Sequence, residues 1–217
     1  MLATIEKVKI SSSQTFLKGA NAKSFAAMIL THSYHKEEPP FRSLSVLNIE
    51  KALTIATQLQ AKEGKVYRRF KEPIKYLEAR IATEKWLKEE FINKGGEPKT
   101  SFPLYMVIEN STWIEEGYNG QSKKVQISVS EFDSKEISFT YPDSMVSYWL
   151  RDKKQESFYQ PDYHGQVFRL DEILQIIKKF GMPMEKWKFE ETRKYDIFIE
   201  AQIWNEQAIF NYLQDKI

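Results

Sequence analysis

The amino-acid sequence predicts an α+β fold: a helical N-terminal half packed on a small antiparallel β-sheet, followed by a mixed α/β C-terminal part. Three observations lead to it. Apolar residues recur at helical spacing through the first hundred positions. Between 101 and 140 the spacing changes to the alternation of branched and aromatic residues that strands favour. Beyond 141 both patterns occur, with one strongly amphipathic stretch at 170–180.

The elements follow in order. Residues 20–34 carry Phe25, Met28 and Ile29 at helical spacing, with Asn21 placed as N-cap, and predict a first helix closed by Pro39 and Pro40. Residues 45–61 predict a second, with Ile49, Leu53, Ala56 and Leu59 on one face and Gly64 as its stop. A third starts near Glu72 with Pro73 in its first turn, and ends at Gly95-Gly96. Its expected core face is Ile74, Leu77, Ile81, Leu87 and Phe91. Residues 101–140 predict a meander of three or four strands: 102–108, an extension at 112–114, 124–129 after the Asn119-Gly120 turn, and 136–140. A short helix at 144–151 has Asp143 as its cap, an irregular loop covers 157–165, and 166–168 predicts a short strand. The 170–180 helix has acids at its start and Lys178 and Lys179 at its end, complementing the dipole. A strand at 195–204 and a helix at 205–214 close the order. The whole of 1–217 reads as a single domain, and residues 95–100 offer the one place to divide 1–96 from 97–217.

Composition excludes whole classes of chemistry. The 217 residues include no Cys, which removes disulfides, Cys-bound zinc and a Cys nucleophile. With 14 Phe, 11 Tyr and 5 Trp the chain has the apolar area to fold. The balance of 32 Lys plus Arg against 30 Asp plus Glu leaves no whole-molecule field for nucleic acid, so any polyanion contact must be local. No phosphate-binding Gly-rich loop, dinucleotide fingerprint or Gly-x-Ser-x-Gly elbow is present. No apolar run approaches the ~18–20 residues that span a bilayer. Glu6, Lys7 and Lys9 interrupt any signal-peptide core, so the expectation is a cytoplasmic protein without membrane contact.

Four features carry possible chemistry. Lys65, Arg68, Arg69 and Lys71 alternate with Tyr67 and Phe70, a pattern suited to holding a polyanion or phosphate; the plainer reading is a solvated helix start. The loops around Asp143 and around Asp162 and His164 each contain Pro-Asp, and their convergence would place His164 as proton carrier with Asp143 and Asp162 holding a metal or orienting the imidazole. Tyr141 and Tyr163 would supply ligand contacts there; ordinary turn and capping chemistry is the alternative. His32 and His35 with Glu37 and Glu38 have only loose metal-ligand spacing, and no metal site is assigned. Asp196 and Glu200, an even number apart, would share one face of a strand, as carboxylates do in magnesium-dependent nucleases. The leading expectation is a binding protein for a protein or small polar ligand, with a polar-aromatic site in residues 141–165. The alternative is a metal-dependent phosphoryl-transfer or nucleic-acid-processing enzyme. The sequence does not identify a cofactor.

Overall fold

The computed structural model describes residues 28–214 and has the α+β class that the spacing predicts. Five antiparallel strands form one sheet in the order β3-β1-β2-β5-β4: β1 (Ile29–His35), β2 (Leu104–Ile108), β3 (Ser122–Ser128), β4 (Ile137–Thr140) and β5 (Glu200–Ile203). Among the described residues six α-helices surround it: α1 (Ile49–Gln60), α2 (Pro73–Asn93), α3 (Thr112–Gly117), α4 (Ser144–Leu150), α5 (Leu170–Phe180) and α6 (Glu206–Gln214). None of the described helices is long and apolar enough to cross a membrane.

Alternation along the strands sorts the sheet into two faces. Leu30, Met106, Ile108, Phe139, Ala201 and Ile203 point to one, where they bury with Ile173 of α5, Ile209 of α6 and Trp187. The other face is far more polar. It carries Tyr105, Glu200, Gln202, Ser138 and Thr140, and α2 and α4 lie over it through Trp86, Leu87 and Tyr148. Its buried polar groups bond to one another. Ser138 Oγ donates to Gln202 Oε1 at 2.9 Å, Trp204 Nε1 to Ser138 Oγ at 2.8 Å, and Gln202 Nε2 to Thr140 Oγ1 at 3.1 Å. Mutual satisfaction of this kind makes such burial tolerable.

Several expectations are corrected. Residues 29–35 form a strand, because β1 pairs with β3 along its whole length, from Ile29↔Ser128 to His35↔Ser122. The preceding part of the expected helix, with Asn21 and Phe25, lies outside the described residues. Residues 112–114 begin α3, whose N-cap Ser111 accepts a hydrogen bond from the Ile114 N–H. The strands of 101–140 are not a meander, since β1 and β5 intervene between them. Residues 166–168 contribute only a bridge between Phe168 and Phe139. Within α2, Leu77, Leu87 and Phe91 are buried as expected, but Ile74 and Ile81 are exposed; Tyr76, Arg80 and Glu84 turn inward instead. Ile49 of α1 is also exposed.

Candidate functional site

β1 and β2 pair only at Leu30↔Ile108 and Thr31↔Val107, while β1 continues beside β3 as far as His35. The two strands therefore part after Thr31. His32 spans the opening: its Nδ1 lies 2.9 Å from the Tyr105 carbonyl oxygen, and its Nε2 accepts the Phe41 N–H at 3.0 Å. An acceptor Nε2 fixes the ring as the neutral Nδ1–H tautomer, which donates to Tyr105. Burial pushes the His32 pKa down to about 4, against the opposing Tyr105 hydrogen bond. The ring also stacks on Phe41 at 4.1 Å. His32 thus holds the 36–44 loop over the gap.

Beneath that loop lies a cavity of about 410 Å³. Its walls come from β1, β2, β5, α1, α2 and the 3-10 helix Lys65–Phe70. Eight aromatic residues reach it, Tyr34, Tyr76, Tyr105 and Tyr118 among them, and ionisable groups come from separate segments as Arg69, Arg80 and Glu200. At the mouth, Glu38 pairs with Arg42 and, at 3.0 Å, with Lys62; the Lys62 hydrogen bond is the main reason its carboxyl lies below the usual range.

The inner wall is a charged network. Arg80 Nε lies 3.1 Å from Glu84 Oε1 and donates to Ser45 Oγ at 3.0 Å, and its Nη1 donates to Tyr76 Oη at 3.1 Å. Tyr105 Oη donates to the same Glu84 oxygen at 2.9 Å. Glu84 is 1% exposed, and its Oε2 has no hydrogen-bond partner among the described residues. Burial works against the Arg80 charge, but Tyr76, Tyr105 and Glu84 more than compensate and keep it protonated. Burial raises Tyr105 far above a free phenol.

Glu200 and Asp143 form a second, coupled pair. Burial, then the neighbouring Asp143 charge, pushes Glu200 up to about 7; a hydrogen bond from Ser144 N at 2.9 Å and the Arg80 charge act the other way. Asp143 is also raised by burial, opposed by its capping bond from Val146 N at 3.1 Å and by the Arg69 charge. Two carboxyls held this way retain a proton between them near neutrality.

Comparison with known proteins finds no family model, no curated protein and no solved structure that matches the chain. Geometry alone therefore ranks the candidate residues.

The structure separates the residues singled out by sequence. His164 is wholly buried, and its Nδ1 accepts the Gln160 N–H at 3.0 Å, so its Nε2–H donates to Asp196 Oδ1 at 2.9 Å. Asp196 also accepts from Tyr163 Oη at 2.6 Å and from Arg193 Nε at 3.2 Å. Arg193 lies over Trp187 at 3.4 Å and donates to the Phe180 carbonyl at 3.1 Å. This knot ties the 159–165 loop to the end of α5. Tyr141 and Tyr163 stack at 4.6 Å inside the same core and have no exposed surface to offer a ligand. Asp162 points outward to Lys179 at 2.9 Å. Asp143 caps α4 beside Glu200. The expected trio of His164, Asp143 and Asp162 shares no hydrogen bond, because each carboxyl has its own closer partner. Asp196 and Glu200 do not share a strand face as expected, since β5 begins only at Glu200.

The basic run is also divided. A 3-10 helix has three residues per turn, so Lys65, Arg68 and Lys71 form one row while Arg69 faces the cavity and donates to the Val66 carbonyl. Near the N-terminal strand, His35 Nδ1 accepts the Glu37 N–H. Among the described residues no three His, Asp or Glu side chains are grouped to hold a metal ion. Sequence reasoning missed Tyr105, Arg80 and Glu84. The one usable signal was the i, i+4 spacing of Arg80 and Glu84 on a helix.

Proposed function

We propose that the protein binds a small ligand with a planar heteroaromatic ring and polar substituents, of the nucleoside class, in the cavity between the sheet and α1–α2. The observation carrying this reading is that Tyr34, Arg69, Arg80, Tyr105 and Glu200 come from separate segments to line one cavity. The volume of about 410 Å³ falls within the range of ligand sites, and aromatic walls with a few converging polar groups match their usual make-up. Tyr34 and Tyr118 offer stacking surfaces. Glu200, poised near neutrality, can both donate to and accept from a ring edge or sugar hydroxyl. The site thus moves from the 141–165 loops, whose aromatic residues Tyr141 and Tyr163 serve the core.

Thermal unfolding with a panel of uncharged nucleosides tests this. A ligand at a hundred times its Kd adds about 2.7 kcal/mol, which raises Tm by about 5–10 °C for a chain of this size. The shift should shrink in Tyr34→Ala, since loss of one stacking surface costs about 1–3 kcal/mol. A panel that leaves Tm unmoved for wild type ends the proposal. The Asp143–Glu200 pair favours a second reading, an enzyme that uses Glu200 as acid or base on the same ligand class. Ligand turnover by wild type and its loss in Glu200→Gln, with binding kept, would separate the two.

A further inference from the structure

A shallow groove of about 430 Å³ adjoins the cavity and shares Lys62 and Tyr67 with it. Its charged residues are all cations: Lys62, Lys65, Arg68 and Lys71. Three of them recur every third residue along the 3-10 helix and its cap. At a rise of about 2.0 Å per residue they form a row with steps of about 6 Å, which suits a chain of phosphates better than a single one. The row is rigidly seated. Val66, Tyr67 and Phe70 bury the opposite side of the helix. At its start Gly64 has φ +130°, and a Cβ there would come within 2.5 Å of the Gly117 carbonyl oxygen, so only glycine allows this approach to α3.

The charges differ in how far they are already engaged. Lys62 pairs with Glu38, and Lys65 lies 3.4 Å from an exposed Glu116 carboxylate, a weak contact in water. Arg68 and Lys71 are exposed and have no ion pair among the described residues. A net charge of only +2 makes this concentration local.

We propose that this groove holds the phosphate backbone of single-stranded nucleic acid while one unpaired base enters the neighbouring cavity. The inference rests on the nucleoside reading of the cavity for its second half. A duplex fits poorly, because its bases are stacked and paired, whereas a single strand can turn one ring into the cavity with little cost.

Fluorescence anisotropy with a labelled single-stranded oligonucleotide of about 12 residues, titrated over salt, tests it. Three to four neutralised phosphates at about 0.7 each give a log–log slope of about −2 to −3. The double variant Arg68→Ala with Lys71→Ala should reduce the slope by about 1.4. Its stabilisation by uncharged nucleosides should stay at the wild-type level, because neither side chain lines the cavity. Absence of oligonucleotide binding, or an unchanged slope in the variant, overturns the groove, while the nucleoside shift still judges the cavity separately. Binding of a nucleoside triphosphate without the oligonucleotide overturns it too. Equal affinity for a duplex of the same length overturns entry of the base.

Discussion

Replacing Glu200 with Gln should make the protein more stable at alkaline pH and leave it unchanged in acid. The folded chain raises this carboxyl from 4.5 to about 7, chiefly by burial and then by Asp143. A raised carboxyl binds its proton more tightly in the folded than in the unfolded state. Its contribution is therefore fully present below about 4.5 and is lost as pH rises through about 7. The shift corresponds to about 3–4 kcal/mol at most, at about 1.4 kcal/mol per unit. Gln retains an oxygen for the Ser144 N–H and carries no charge to repel Asp143. Urea unfolding of both proteins at pH 4.5 and pH 8 reads the effect directly. The variant should match wild type at the lower pH and exceed it by about 1–3 kcal/mol at the higher. Parallel stability profiles would refute the idea that the pair shares a proton in the folded state.

Other perturbations probe different parts of the structure. His32 should show the opposite sign: with its pKa lowered to about 4, its contribution is lost as pH falls from 6.5 towards 4. Nitrogen-detected NMR should find a neutral ring with its proton on Nδ1 at pH 6, and an imidazolium there would contradict the assignment. Asp196→Ala should cost about 3–5 kcal/mol in denaturant unfolding, because it strips His164, Tyr163 and Arg193 of a buried partner. Asp162→Ala, which loses only the exposed pair with Lys179, should cost less than about 1 kcal/mol, and similar losses for the two would be inconsistent with their burial. Gly117→Ala would set a Cβ 2.5 Å from Val66 Cγ1, so a loss of about 1–3 kcal/mol is expected in the same assay; a neutral effect would mean the contact yields freely.

Local signals made much of the fold legible. Asp143 as the cap of α4, Pro73 at the start of α2 and the charge-flanked α5 all follow from chemistry within a few residues. The Asn119-Gly120 turn does as well, with both residues at positive φ. Non-local pairing decided the rest. Residues 29–35 contain Ile, Thr and Tyr that suit a strand, yet only the ladder with β3 selects it over the helical spacing around Met28. The inward face of α2 was misread because it carries Arg80 and Glu84, and apolar periodicity takes such residues for solvent-facing. The cavity was invisible for a similar reason. Its residues run from Thr31 to Glu200, and no spacing along the chain reports their meeting.

The position of β5 also bears on how the protein is made. It lies between β2 and β4, and among the described strands it is the only one that pairs with β4. While synthesis proceeds, β2 and β4 emerge well before residues 200–203, and each waits with an open edge. Sheet completion is thus a late event, of the non-local kind that slows folding and invites wrong pairings or a chaperone. Glu200 arrives on that same strand, so a chain released before it has neither a complete sheet nor the Glu200 carboxyl of its cavity. Completion of the sheet and completion of the cavity wall coincide.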